Sequence, residues 1–117
     1  MRRGWKLDPV ERAMLLAALP AAYGEVVADH VTCKPDPERD LLPTFGEIVG
    51  VADDGAGVQA LVVRIGGTTD RPDGSTWHIT WSLAEGRGAK ESNAVIAERG
   101  WREIEPRRVA LIPAAWD

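Results

Sequence analysis

Only two histidines occur in the 117-residue chain, and both stand in the same tripeptide pattern, His30-Val31-Thr32 and His78-Ile79-Thr80. An imidazole takes up or releases a proton near neutrality, because its ordinary pKa is about 6.5. One neutral and one protonated ring at a single site are the equipment of general acid–base catalysis. In an extended strand, residues i and i+2 project from one face and i+1 from the other. Each tripeptide therefore sets an imidazole beside a hydroxyl, with Val31 or Ile79 on the opposite face. Trp77 and Trp81 share the Ile79 side, which makes that side the buried one and leaves the histidine face for a cleft. The chain has six threonines. A Thr two places after both histidines is then expected by chance on the order of a few times in a thousand.

The elements that must position these strands are legible from periodicity. Asp8 can cap a helix that opens with Pro9 and Glu11 and stops at Pro20. Val10, Met14, Ala17 and Ala18 fall on one face of it with Leu15 at the edge, which predicts that this face packs on a sheet. Glu25–Cys33 is apolar and β-branched and reads as one strand. Lys34–Thr44 carries three prolines and several charges and reads as an exposed loop able to overhang a site. Gly46–Ala52 and Gly57–Ile65 form an antiparallel hairpin through Asp53-Asp54-Gly55. Ser75–Leu83, with strict alternation, is the second histidine strand. A flexible basic loop, Glu85–Lys90, then leads to a short helix that Ser92 and Asn93 can cap and Gly100 ends. Arg108–Ile112 is a final strand that Pro113 closes.

Composition narrows the function classes. The length gives one domain, 1–117. Fourteen Lys+Arg against eighteen Asp+Glu leave a net charge of -4, which argues against a grip on a long nucleic acid through many phosphates. A small anion in a local pocket is compatible with it. The lone Cys33 excludes an internal disulfide and a cysteine-based zinc site, and it points away from the histidine face. No apolar run has spanning length, and the basic start lacks an apolar segment, so the expectation is a cytoplasmic protein without membrane contact, taken as a monomer. No metal and no cofactor are expected. The Asp70–Gly74 segment reads as a turn, and Tyr23 and Phe45 as core residues rather than base-stacking platforms.

Paired H-x-T motifs on strands, separated by a hairpin-bearing segment, resemble the 2H phosphoesterase superfamily over about Tyr23 to Ile112. Lys90-Glu91-Ser92-Asn93, after its Gly-rich turn, is similar to a region of the cyclic phosphodiesterase domains of fungal-type tRNA ligases. The chain is shorter than larger members and lacks the helices that thicken their lobes. The resemblance implies an α+β fold whose antiparallel sheet forms two small pseudo-symmetric lobes, each with a helix, around a central cleft. It implies metal-independent hydrolysis of a 2′,3′-cyclic phosphate on a nucleotide or RNA 3′ end, with a 2′-phosphate as product. His30 and His78 would be base and acid in an order the residues do not reveal, and Thr32 and Thr80 would hold the phosphate oxygens. Lys90, Ser92 and Asn93 are further substrate-binding candidates, whereas Arg87 has no motif support. Two other functions fit the same cleft: hydrolysis of cyclic di- or oligonucleotide signals, and nucleotide binding without turnover. A coincidental repeat in a structural protein is the remaining reading.

Overall fold

Seven strands and two helices account for most of the chain in a computed structural model that describes residues 1–117. In order they are β1 (Arg2–Leu7), α1 (Pro9–Ala18), β2 (Glu25–Val26), β3 (His30–Thr32), β4 (Thr44–Asp53), β5 (Val58–Arg64), β6 (His78–Leu83), α2 (Ser92–Arg99) and β7 (Arg102–Trp116). A 3₁₀ turn, Ala89–Glu91, leads into α2. Every strand pairing is antiparallel. The order β6-β3-β1-β7-β4-β5 returns to β6, so the sheet closes into a six-stranded ring and β2 adds to β6 beside β3. The α+β class and antiparallel sheet match the sequence reading. The strand order itself is one continuous ring and does not separate two lobes. No helix is long and apolar enough to cross a membrane.

Alternation decides what the ring encloses. Val31, Leu61, Val63, Ile79 and Trp81 belong to one cluster of 14 buried residues, joined by Trp5, Trp77 and Leu111. β5 is buried on both faces, because Val58, Ala60 and Val62 point the other way, toward Val95 and Ile96 of α2. That outer helix lies beside β6 and forms a wall on the face that carries the histidines.

Several local expectations need correction. Val10 and Met14 are exposed, and α1 packs through Leu15, with Leu16 and Leu19 beside it. The helix end is set by Trp81, whose indole Nε1 donates to the Leu19 carbonyl at 2.8 Å, and that contact turns the leucine stripe inward. Glu25–Cys33 is two strands, because Ala28 adopts a left-handed φ of 41° between them. Arg12 Nε, donating to the Ala28 carbonyl at 2.7 Å, holds that break. β1 is an interior strand that its basic composition hides: Trp5 and Leu7 face the core while Arg2 and Lys6 alternate outward.

The last strand runs far past Pro113. Its pairing with β4 ends at Leu111, so beyond it β7 has only β1 as a neighbour and the missing N–H of Pro113 breaks no ladder. Pro106 falls where the β4–β7 register shifts. Tyr23 and Phe45 are not core residues either. Tyr23 donates from its hydroxyl to Asp53 at 2.5 Å, and Phe45 is exposed under the Arg108 guanidinium. The Glu85–Lys90 loop is tied down: Arg87 pairs with Asp54 at 2.8 Å and with Glu91 at 3.1 Å.

Candidate active site on the outer face of the sheet

The two tripeptides are neighbours. Val31 pairs with Ile79 across β3 and β6, and this antiparallel register sets His30 opposite Thr80 and Thr32 opposite His78. Because Val31 and Ile79 point into the core, all four polar side chains face outward together. They line one pocket of about 190 Å³ with Arg2, Lys34, Arg71, Ala89, Lys90 and Asn93. Four cationic side chains and no carboxylate line it, in a chain whose net charge is -4.

Each ring is held at Nδ1. His78 Nδ1 lies 2.8 Å from the Thr76 carbonyl oxygen. A carbonyl only accepts, so Nδ1 carries the proton and Nε2 is left as the free nitrogen. Burial above all pushes the His78 pKa below its ordinary value, and the charges of Arg71 and His30 add to this against the opposing Thr76 hydrogen bond. His78 therefore stays neutral to lower pH than an ordinary histidine. His30 Nδ1 lies 3.1 Å from Asp29 Oδ2, which also meets Lys6 Nζ at 3.5 Å. Burial works against the Asp29 charge, but His30 and Lys6 outweigh it and hold the carboxyl below its usual range. An ionised carboxylate on Nδ1 orients the ring and offsets positive charge when Nε2 is protonated. The Trp116 indole packs against the other side of His30 with centroids 4.3 Å apart.

The hydroxyls and the helix complete the pocket. Thr80 Oγ1 lies 2.8 Å from Ser92 Oγ, which is fully buried. Ser92 does not line the pocket and reaches it only through Thr80. Nor does it cap α2. The Glu91 carboxylate takes the Gly88 N–H at 2.7 Å, and the Ser92 hydroxyl is spent on Thr80. Lys90 and Asn93 do line the pocket, as expected for substrate-binding residues, while Arg87 is engaged elsewhere.

Three lining cations escaped sequence reasoning. Lys34 continues the His30, Thr32 row by one more alternation, a signal that was present in the chain. Arg2 needs the β1–β3 register to be placed. Arg71 sits in the expected Asp70–Gly74 turn, yet its side chain is buried and bonds Asp73 at 3.1 Å, Ser75 at 2.8 Å and the Thr32 carbonyl at 3.3 Å. Burial works against Asp73's charge, but Ser75 and Arg71 draw its pKa down to about 2. Cys33 is buried and faces the core, where burial raises its pKa. No three His, Cys, Asp or Glu side chains converge as a metal-ligand group. Comparison with known proteins gives no matching family model, curated protein or solved structure.

Proposed function

We propose that the protein is a phosphodiesterase of the 2H type, opening 2′,3′-cyclic phosphates of nucleotides or RNA 3′ ends. The observation that carries this reading is the convergence of both H-x-T tripeptides, through the Val31↔Ile79 pair, on one cationic pocket. An antiparallel pair has a local two-fold axis, so the two tripeptides are related around a single point. This local symmetry is the part of the expected two-fold lobes that the proposal uses.

The environments of the rings divide the roles. Neutral His78 takes a proton from water through Nε2 as the water oxygen bonds to phosphorus. His30, with Asp29 on its Nδ1, serves as the acid and passes a proton from Nε2 to the ribose oxygen as the P–O bond breaks. Thr32 and Thr80 donate to the non-bridging oxygens, and Lys90 offsets their charge. The product is a phosphate monoester, the 2′ ester if the 3′ oxygen departs. A cavity of about 190 Å³ fits a phosphate and sugar better than a cyclic dinucleotide, since pockets that enclose larger ligands run to roughly 300–1,000 Å³.

The test is incubation of the purified protein with the four nucleoside 2′,3′-cyclic monophosphates in excess EDTA, with product analysis by phosphorus NMR. The expected result is ring opening to one monoester isomer. Intact substrates under all four conditions contradict the proposal.

A further inference from the structure

We infer that Arg2 and Lys34 form a second anion subsite beside the two-histidine pocket, built to take the 5′ phosphate of the nucleotide whose cyclic phosphate is opened. The inference rests on the hydrolase reading above and narrows its substrate to phosphorylated RNA ends over free nucleosides.

Register places the two cations together. Gly4 pairs with Thr32 across β1 and β3, and the Cys33 N–H donates to the Arg3 carbonyl at 2.9 Å just beyond. Continuing that register sets Arg2 across from Lys34, and both line the pocket. Like charges opposite each other on neighbouring strands destabilise a sheet. No carboxylate lies within ion-pair distance of either one, whereas Arg3, next in sequence, has Asp36 at 3.2 Å and Asp40 at 3.7 Å. A cation pair kept without a counter-charge at a pocket mouth is an electrostatic match for a ligand anion.

Position and surroundings give the ligand class. Lys34 stands two residues past Thr32, just beyond the end of β3, so their Cα atoms are at most about 7 Å apart. That spacing is on the scale of the two phosphates carried by one ribose, so a ligand whose cyclic phosphate sits at Thr32 can turn its 5′ phosphate toward Lys34. A neighbouring cavity of about 350 Å³ shares Arg2, Thr32 and Lys34, which gives the rest of a chain somewhere to run. Its carboxylates, Asp36 and Asp73, are already paired with Arg3 and Arg71. No Phe, Tyr or Trp side chain lines either cavity, so recognition goes through phosphates and is indifferent to the base.

The experiment compares kcat/KM for 5′-phosphoadenosine 2′,3′-cyclic phosphate and adenosine 2′,3′-cyclic phosphate, in the native protein and in the Arg2→Ala/Lys34→Ala variant. The ratio is read on one protein sample, so partial unfolding cancels. The native protein is expected to prefer the 5′-phosphorylated substrate by roughly tenfold or more at low salt, the preference shrinking as salt rises. In the double variant the ratio is expected to fall to near one. Equal values in the native protein, or a preference that survives the double substitution, overturn the subsite. If neither substrate turns over, the hydrolase reading fails and calorimetry decides the subsite separately. Adenosine 2′,5′-bisphosphate must then bind more tightly than adenosine 2′-monophosphate, and the double variant must erase the difference. Equal affinities for the two nucleotides overturn it.

Discussion

The Nδ1–H of His78 donates to the Thr76 carbonyl at 2.8 Å, which leaves Nε2 as the only nitrogen able to accept a proton. Burial lowers the pKa of this ring. A lowered value keeps His78 neutral at pH values where an ordinary histidine is already protonating. The acid limb of the kcat/KM profile is therefore expected below about pH 6.5. An acid limb at or above that value contradicts the assignment of His78 as base. The same shift acts on stability: an unfolded ring binds its proton first, so the stability contribution is complete above the unfolded value and declines as pH falls toward the folded one.

Asp29 is expected to act on rate rather than binding. Its carboxylate accepts from His30 Nδ1 at 3.1 Å, and an amide in its place neither offsets the imidazolium charge nor fixes the same donor. Asp29→Asn should lower kcat at least about tenfold with KM little changed. Steady-state kinetics across pH check this. An unchanged kcat means that His30 does not need its carboxylate.

Ser92 is expected to matter through Thr80. With the Ser92 hydroxyl donating to Thr80 Oγ1, the threonine proton goes to the Ala89 carbonyl at 3.4 Å, a long contact that a phosphate oxygen can replace. Ser92→Ala should cost about 1–3 kcal/mol in denaturant unfolding, the range for leaving a buried polar atom without its partner. It should also reduce kcat/KM. Ser92→Thr, which keeps the hydroxyl, should restore part of the activity if space allows the extra methyl. Full activity in Ser92→Ala removes the serine from the account.

The second histidine strand, the Asp53–Gly55 hairpin and α2 were legible because each follows from local alternation, turn chemistry or a terminating glycine, and Gly100 does end α2 with a φ of 68°, whereas the break at Ala28 that splits Glu25–Cys33 left no local sign. The outward histidine face was legible for the same reason, since Val31, Ile79, Trp77 and Trp81 do point inward. What was hidden depends on partners distant in sequence. Arg2 becomes a pocket residue only when β1 is laid beside β3, and nothing in Arg2-Arg3-Gly4 announces an interior strand. The α1 face was misassigned because alanines and Met14 mimic an apolar stripe, whereas Trp81 and the core select the leucines. Arg71 gave no local sign, because burial of a guanidinium needs Asp73, Ser75 and the Thr32 carbonyl at once.

Gly4 pairs with Thr32 beside the site and leaves no room there for a side chain. A Cβ there would run into the Val31 carbonyl oxygen and come within 3.0 Å of Thr32 Cα. Backbone cannot swing aside as a side chain does. Gly4→Ala should therefore destabilise the protein by about 1–3 kcal/mol or more, and by displacing Thr32 it should lower activity in the fraction that stays folded. Thermal unfolding beside a substrate titration checks both effects. A melting temperature equal to the native value contradicts the β1–β3 register.

The most direct test of the two-histidine account is kcat/KM for adenosine 2′,3′-cyclic phosphate in His30→Ala, His78→Ala and the double variant, with folding confirmed by circular dichroism. Acid and base serve one displacement, so each single substitution should cost roughly 10²–10⁴-fold. The double variant should be little worse than either, because the two rings act as one unit. Near-native turnover in either single variant contradicts the account.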